Sequence, residues 1–381
     1  MISKKTILVI TTRPPLPLDG GDSVRIFNIC KELSNYYNLD IIFIGNNKHK
    51  ILIENTRFFN NITNIQVNVF QKIINILKFF FSESPIQLAF FYNKKLFNTV
   101  NEQSLNSDII LPHLFRSANL VKDEFNSKVI FECCDSIGLA ISKIKKIDSL
   151  KKLFYKIDGK RILNFERKLL KKYKKNILIS DEDLNYIDSK SIFDIRIINN
   201  GKDIESFNPD FESNYNSKKL LFIGNQRTYP NKSAVKFLLK FIKLYPEYTL
   251  VIAGKGSSLY KNIENVMVLD FYKNLYTINE IKIFAGIAPM DLGSGVQNKI
   301  LDYLSLSIPC LTTTTGASGL NPLNPLLIYK NDLDLYSNLQ ELNKSFKTYI
   351  KVSKRGPVFL KTNHSWNKIG MDYKNYIEEN N

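Results

Sequence analysis

The sequence predicts an α/β protein of two domains, each built on a doubly wound sheet of parallel strands. The chain has 381 residues, more than the roughly 250–300 residues at which a single core usually divides. Short apolar runs alternate with helical patterns through both halves, as expected for βαβ units. Turn residues at 197–203 separate the two series. We therefore predict an N-terminal domain at 1–198, a C-terminal domain at 199–350, and a C-terminal helix within 351–381 that packs back toward the N-terminal domain.

Continuous apolar runs in the first half indicate strands that are buried on both faces of a parallel sheet. They are predicted at 6–12, 39–44, 65–70, 108–111, 128–133 and 176–180. A Pro- and Gly-rich loop follows the first strand, and an amphipathic helix with apolar positions through Leu33 follows the loop.

The second half repeats the pattern. Strands are predicted at 219–223, 249–253, 266–269, 283–288 and 309–313, the last of which closes the sheet. Helices are predicted at 233–244, 295–306 and 365–378, and no strand follows the last of these.

The amino-acid composition limits the classes of partner and binding site that this protein can have. The chain contains 53 Lys and Arg against 36 Asp and Glu, a net charge of +17, which favours an anionic partner. Four cysteines without a CxxC pair and three histidines argue against a zinc or multi-histidine site. No window reaches the ~18 uncharged apolar residues that a spanning helix needs.

Two lysine-rich segments bear on location. Between 143 and 175 there are fourteen Lys and Arg and three acids, on a helix with one apolar stripe. This helix is either a solvated outer face or a surface for acidic lipid headgroups or a pyrophosphate-bearing acceptor. The apolar run at 72–81, flanked by lysines, either packs under a loop or dips into a bilayer interface.

Two glycine-containing turns each follow a predicted strand and precede a predicted helix, which is the position where phosphates bind in α/β folds. Gly20 and Gly21 open the first helix, and backbone N–H groups at a helix N-terminus attract anions. A Gly-Ser-Gly turn at 293–295 precedes a helix that carries Lys299 and Asp302 three residues apart. A cation beside a phosphate cradle and a carboxylate for ribose hydroxyls suit a nucleoside diphosphate.

Four motifs together resemble the family-4 retaining glycosyltransferases of the GT-B fold, particularly bacterial sugar transferases of surface polysaccharide assembly. They are the opening loop at 14–21 with Arg25, the hinge at 198–203 with 207–209, the first donor-side loop at 224–231, and the signature at 293–320. The resemblance implies two Rossmann-like domains that face a central cleft, a nucleotide-sugar donor, and a glycan or polyprenyl-linked acceptor. It also implies retention at the anomeric carbon, with neither a metal nor another cofactor. The family's paired glutamates fall on Asp302 and, eight positions earlier, on the uncharged Ser294.

The resemblance and the motifs together predict the site residues. Lys299 and Arg227 are expected to stabilise the departing diphosphate. The predicted donor-binding residues are Gly20, Gly21, Gly293, Ser294, Gly295, Val296, Asn298, Lys299, Asp302 and Tyr272, although for Tyr272 packing in an aromatic core is the favoured interpretation. On the acceptor side we predict Arg25, Asp135 and Ser136. Asp135 or His113 is the expected acceptor-orienting group or base, and the alternative role of Asp135 or Ser136 is a helix N-cap.

From the two lysine-rich segments we predict that the protein is cytoplasmic and binds peripherally to the inner face of the plasma membrane through anionic lipid, where a lipid-linked acceptor would be found. Two other functions compete with this interpretation. The charge favours a nucleic-acid-binding protein, but no RRM, KH or HTH signature is present, so no nucleic-acid partner is expected. The substitution at Ser294 and the absence of the family's usual cleft histidine favour an inactive GT-B scaffold.

Overall fold

A computed structural model describes residues 4–18, 20–142, 149–187, 194–204, 208–270, 275–291, 296–320 and 325–379. The chain forms two compact units. Unit 1 comprises Met1–Asn199 and Trp366–Asn381, and unit 2 comprises Asn200–Ser365.

Unit 1 contains parallel strands, of which those at 6–11, 109–112 and 130–134 are almost entirely buried. The strands are β1 (Thr6–Thr11), β2 (Asn38–Ile44), β3 (Asn61–Ile65), β4 (Ile109–Pro112), β5 (Ile130–Cys134), β6 (Lys175–Leu178) and β7 (Asp194–Ile197). One sheet has the order β3-β2-β1-β4 and another has the order β5-β6-β7. Single parallel bridges, Ile110 to Val129 and His113 to Glu132, join β4 to the β5 side, so the strands follow one another as a doubly wound sheet.

Helices connect these strands. They are α1 (Gly21–Leu33), α2 (Asn47–Glu54), α3 (Val69–Phe80), α4 (Lys94–Leu105), α5 (Leu114–Ala118), α6 (Ile137–Ser142), α7 (Ser149–Lys172) and α8 (Asp181–Ile187), with 3₁₀ turns at Ile86–Phe90 and Asp123–Lys128. The strand predicted at 65–70 is wrong. The strand ends at Ile65, and α3 begins at Val69 because the Asn68 side chain caps it by accepting a hydrogen bond from the Gln71 backbone N–H at 2.7 Å.

The described strands of unit 2 form one parallel sheet. Its strands are β8 (Lys219–Ile223), β9 (Thr249–Ala253), β10 (Val266–Leu269), β11 (Ala285–Ala288), β12 (Cys310–Thr312) and β13 (Leu326–Ile328), in the order β10-β9-β8-β11-β12-β13. The prediction that the strand at 309–313 closes the sheet is wrong, because β13 pairs with β12 beyond it. The three apolar residues of β13 directly follow Pro325, so the apolar pattern does not separate them from the preceding turn-rich segment.

The helices of unit 2 are α9 (Phe211–Asn216), α10 (Tyr229–Leu244), α11 (Asn298–Ser305), α12 (Thr314–Ala317), α13 (Asp332–Asn343) and α14 (Phe346–Asn363), with 3₁₀ turns at Ser257–Tyr260 and Leu275–Ile281. The boundary predicted at 350 falls inside α14. This helix stays in unit 2 because it packs against α11, where a Cβ on Gly356 would lie 2.8 Å from the Leu304 carbonyl oxygen.

The last helix, α15 (Trp366–Glu378), packs against α1 in unit 1. The two helices approach so closely that a Cβ on Gly370 would lie 2.4 Å from Cβ of Glu32. Trp366, Ile369, Tyr373 and Tyr376 from α15 are buried with residues of α1 and β1 in one core cluster. Among the described residues, no helix has both the length and the apolar character that crossing a membrane requires.

Candidate functional site

The strand order of each unit determines where a ligand can bind. In open α/β sheets, ligands bind at the carboxyl ends of the strands where the strand order reverses. In unit 2 the order reverses between β8 and β11, and in unit 1 it reverses between β1 and β4. We therefore describe the side chains at these two edges in turn.

Glycine loops line the edge of unit 2. The backbone N–H of Gln226, after β8, donates to the Lys255 carbonyl, after β9, at 2.9 Å. Gly254 has φ of +115°, and a Cβ there would lie 2.5 Å from the Gly224 carbonyl oxygen, so only glycine allows this close approach. The Gly256 N–H in turn donates to the Asp270 carboxylate at 2.6 Å. Three strand ends are thereby fixed against one another.

Lys299 lies at the reversal point. It is 8% exposed, and its ammonium donates to the Asn231 side-chain oxygen at 2.7 Å and contacts the Met290 sulfur at 3.2 Å. The ammonium also lies 4.5 Å from the centre of the Phe222 ring, a cation–π distance. Burial lowers the pKa of Lys299 to about 7, although Asp302 opposes the shift. A bound anion beside this ammonium would raise the pKa of Lys299 and favour its protonated form.

Asn231 was not among the predicted site residues, although it lies within the donor-side loop motif. Its amide donates to the Asn225 carbonyl at 3.0 Å, and its side chain covers Gly224, where a Cβ would be 2.7 Å from the amide nitrogen. Asn231 therefore links the loop after β8 to the ammonium of Lys299. The sequence feature that could have identified Asn231 is the Pro230-Asn231 pair in the first turn of α10.

Asp302 is paired with a residue that the sequence analysis overlooked. Its Oδ1 accepts from the Lys202 ammonium at 2.6 Å, while Asn200 donates to the Asn298 side chain at 3.2 Å. The chain immediately after the boundary between the units is thus anchored to α11. A ribose at Asp302 would share the carboxylate with Lys202.

The other predicted donor residues are placed as follows. Arg227 is exposed, and its side chain passes 3.5 Å from where a Gly256 Cβ would lie. Val296 is buried and Asn298 is exposed at the start of α11. Gly293, Ser294, Gly295 and Tyr272 lie outside the described residues.

Arg25, predicted to bind the acceptor, is instead part of the core of unit 1. It is 1% exposed, and its guanidinium donates to Glu132 at 2.8 Å, to the Ile198 carbonyl at 2.9 Å and to the Tyr373 hydroxyl at 2.9 Å. The Tyr373 hydroxyl also donates to Glu132. Although burial opposes it, Glu132 holds the pKa of Arg25 above its usual value. The guanidinium of Arg25 therefore uses its hydrogen bonds to hold α1 to β5, to α15 and to the last residues of the first part of unit 1.

Ser136, also predicted to bind the acceptor, has a structural role. It is fully buried, its hydroxyl donates to Glu166 of α7 at 2.7 Å, and it accepts from the Leu139 N–H at 3.0 Å in the manner of an N-cap. Asp135 beside it is half-buried, and burial raises the pKa of its carboxyl group. Of this pair, Asp135 alone keeps access to solvent.

His113 and the Gly20–Gly21 turn lie at the edge of unit 1. His113 follows β4 and is 2% exposed, and neither ring nitrogen has a hydrogen-bond partner among the described residues. Burial lowers the pKa of His113 to about 4, against the opposing charge of Glu132, so its imidazole is neutral at pH 7. Gly20 caps α1 and, with Arg13 and Asp22, lines a cavity of about 430 Å³.

The chain is similar to known proteins in sequence within unit 2 and in fold along its whole length. Residues 217–342, about a third of the chain, match the family model described as Glycosyl transferases group 1. No curated protein matched the chain in a sequence comparison. Among solved structures, Anabaena HepE in complex with UDP and glucose is 11% identical with a TM-score of 0.69, over 98% of this chain and 99% of that chain.

Two further structures are similar along their whole length. Sucrose-phosphate synthase from Thermosynechococcus elongatus is 12% identical with a TM-score of 0.67, over 98% of each chain. A glycosyltransferase from Rickettsia africae is 14% identical with a TM-score of 0.61, over 99% of this chain and all of that chain. The predicted fold class is confirmed: the chain has the GT-B fold, and unit 2 carries a group 1 glycosyltransferase segment.

The position of Lys299 generates a prediction about pH. If its ammonium faces a diphosphate, UDP binding should take up a proton above pH 7, so affinity should fall by as much as about tenfold per pH unit there. Lys299→Met should bind UDP more weakly at pH 6.5 and show no such slope. Calorimetric titration from pH 6.5 to 8.5 measures both effects, with Lys240→Met, an exposed lysine of α10, as the control. Wild-type affinity in Lys299→Met would remove this lysine from the site.

Proposed function

We propose that this protein transfers a sugar from a nucleotide-sugar to a hydroxyl group of a glycan or polyprenyl-linked acceptor. The observation that carries the proposal is Lys299, a buried lysine hydrogen-bonded to Asn231 at the strand-order reversal of unit 2. This point lies inside the segment that matches Glycosyl transferases group 1. The UDP and glucose in the HepE structure support a nucleoside diphosphate sugar as the donor.

The chemistry requires charge stabilisation at the leaving group. Cleavage of the bond between sugar and diphosphate leaves negative charge on the diphosphate, and preorganised cations lower the barrier. Lys299 and Arg227 are the cations that we assign to this task. Asp302, with Lys202 beside it, is assigned to the ribose hydroxyls. Because these side chains supply the positive charge, we propose that the transfer needs neither a metal nor another cofactor.

We assign the acceptor to unit 1. Asp135 is the half-buried carboxylate at its edge, and a raised pKa makes a carboxylate a stronger base. His113, neutral at pH 7, would orient a hydroxyl by a hydrogen bond. We further propose retention at the anomeric carbon, which proton NMR of the product tests, and a role in bacterial surface polysaccharide synthesis, which a deletion strain with unchanged polysaccharide would contradict.

A nucleotide panel tests the donor proposal. UDP, GDP, ADP and CDP are compared with the corresponding monophosphates by thermal shift. One diphosphate at 100 times its dissociation constant should stabilise the protein by about 2.7 kcal/mol, and its monophosphate should do so less because it lacks the second phosphate. A panel in which no diphosphate stabilises the protein more than its monophosphate would contradict the proposal.

The membrane partner is proposed from α3. Its residues Val69, Phe70, Ile73 and Leu77, with Phe81 just beyond, form an apolar face on which each side chain is 53% to 86% exposed. The opposite side is fixed, since Asn75 donates to the Ala89 and Tyr92 carbonyls at 3.2 and 2.8 Å. Exposed Lys78 adds positive charge beside this face. An anionic bilayer interface fits a rigidly held apolar face with a cationic border.

The basic stretch at 143–175 contributes less to this proposal than the sequence suggested. Within the described part of α7, Lys172 pairs with Asp123 at 2.8 Å and Arg167 donates to the Ile187 carbonyl at 2.9 Å. Several of its cations therefore serve the packing of unit 1. Residues 143–148 and the side chains at 149–156 lie outside the described part of the chain.

Vesicle binding tests the membrane proposal. Phe70→Ser combined with Leu77→Ser should weaken binding to anionic vesicles about 10- to 100-fold, because two large apolar groups no longer leave water. Leu259→Ser is the control, since Leu259 is equally exposed at 67% but lies in unit 2. Sedimentation with anionic and neutral vesicles measures binding. Equal loss in the control, or equal binding of the wild type to both vesicles, would contradict the proposal.

A further inference from the structure

Arg116 is a buried cation that no described residue neutralises. It is 7% exposed, and within the described part of the chain its Nε has no hydrogen-bond partner and its guanidinium forms no ion pair. Its contacts are aromatic, with the guanidinium carbon 4.8 Å from the centre of the Phe91 ring and 5.9 Å from that of Phe115. Buried guanidinium groups in folded proteins are normally paired. The aromatic faces orient this group without neutralising it.

The surroundings of Arg116 are those of a binding site. It lies on α5, directly after the carboxyl end of β4 and therefore at the strand-order reversal of unit 1. Leu114 has φ of +68° and Cys134, at the end of β5, has φ of +65°. Left-handed backbone is strained for such residues, and it clusters at functional sites. His113, buried with both ring nitrogens unpartnered, is a second unsatisfied polar side chain at this edge.

The charges facing Arg116 come from neighbouring elements. Burial, with a smaller contribution from Arg13, lowers the pKa of Arg116 to about 10, and Asp22 and Asp135 oppose the shift. Of these two acids, Asp22 is already engaged, because it pairs with Arg13 at 3.3 Å. These two residues line the cavity of about 430 Å³ beside the Gly20 turn.

We propose that Arg116 binds an oxyanion of the acceptor, a phosphate or carboxylate group. The inference rests on the proposed function, which assigns the acceptor to unit 1. A guanidinium group matches both oxyanions with two parallel hydrogen bonds. The acceptor is accordingly an acidic molecule, and Arg116 selects it by pairing with the acid.

The test measures the melting temperature of the full chain during a titration with inorganic phosphate and, separately, with acetate. The ionic strength is held constant and UDP is present at a saturating concentration. At least one anion should stabilise the wild type. Arg116→Met should weaken the apparent affinity for that anion about 10- to 100-fold, as expected for loss of charged hydrogen bonds. Arg57→Met, at an exposed arginine of unit 1, should retain the affinity. Arg116→Lys keeps the charge, should give an intermediate affinity, and replaces Arg116→Met if that variant does not fold.

Equal affinities in the wild type and in Arg116→Met, or no stabilisation by either anion, would overturn the proposal. Repeating the titration without UDP separates the acceptor acid from the donor diphosphate. If UDP displaces the anion and Arg116→Met loses UDP affinity in proportion, Arg116 serves the donor and the acceptor assignment is overturned. Anion binding through Arg116 in a protein that binds no nucleoside diphosphate would support the anion site and overturn the proposed function.

Discussion

The structure depends on one topological constraint. All the described strand pairs are parallel, and in each unit the strands are added in two directions from the first strand. Each reversal leaves the carboxyl ends of two adjacent strands without a connection crossing over them. The loops there carry backbone N–H groups and polar side chains that would be costly to bury unpaired. In unit 2 the reversal brings together the Gly224 loop, Asn231 and Lys299. In unit 1 it brings together the Gly20 turn, His113 and Arg116.

The two edges are different in chemistry although their topology is the same. The unit 2 edge joins strand ends by backbone hydrogen bonds and places a single buried lysine beneath an asparagine. At the unit 1 edge, the neutral His113 lacks a hydrogen-bond partner and Arg116 lacks an ion-pair partner among the described residues. A buried polar group without a partner is a cost in the free protein that a ligand can remove. This contrast supports a diphosphate for one unit and an acidic acceptor for the other.

Much of this fold could be predicted from sequence because buried parallel strands are nearly continuous apolar runs. The apolar runs at β1, β8 and β9 are recognisable for that reason, whereas β13 was missed because its three apolar residues directly follow Pro325. The glycine turn before α11 led to the prediction that Lys299 and Asp302 bind the donor, because such turns before helices are typical of phosphate sites, and this assignment stays a prediction. Arg25 could not be assigned correctly, because its partners Glu132 and Tyr373 are distant in sequence. Arg116 and Lys202 were not predicted for a related reason. The partner of Lys202 is 100 residues away and Arg116 has no charged partner among the described residues, so neither residue belongs to a local sequence motif.

The central claim is that unit 2 binds the nucleoside diphosphate at its strand-order reversal. Hydrogen–deuterium exchange of the full chain, with and without the diphosphate that binds best, measures this directly. The account predicts slower exchange in peptides covering Gly224–Asn231 and the start of α11 at Asn298, where the loops lose motion and their N–H groups gain partners. Slower exchange confined to unit 1, with those two peptides unchanged, would contradict it.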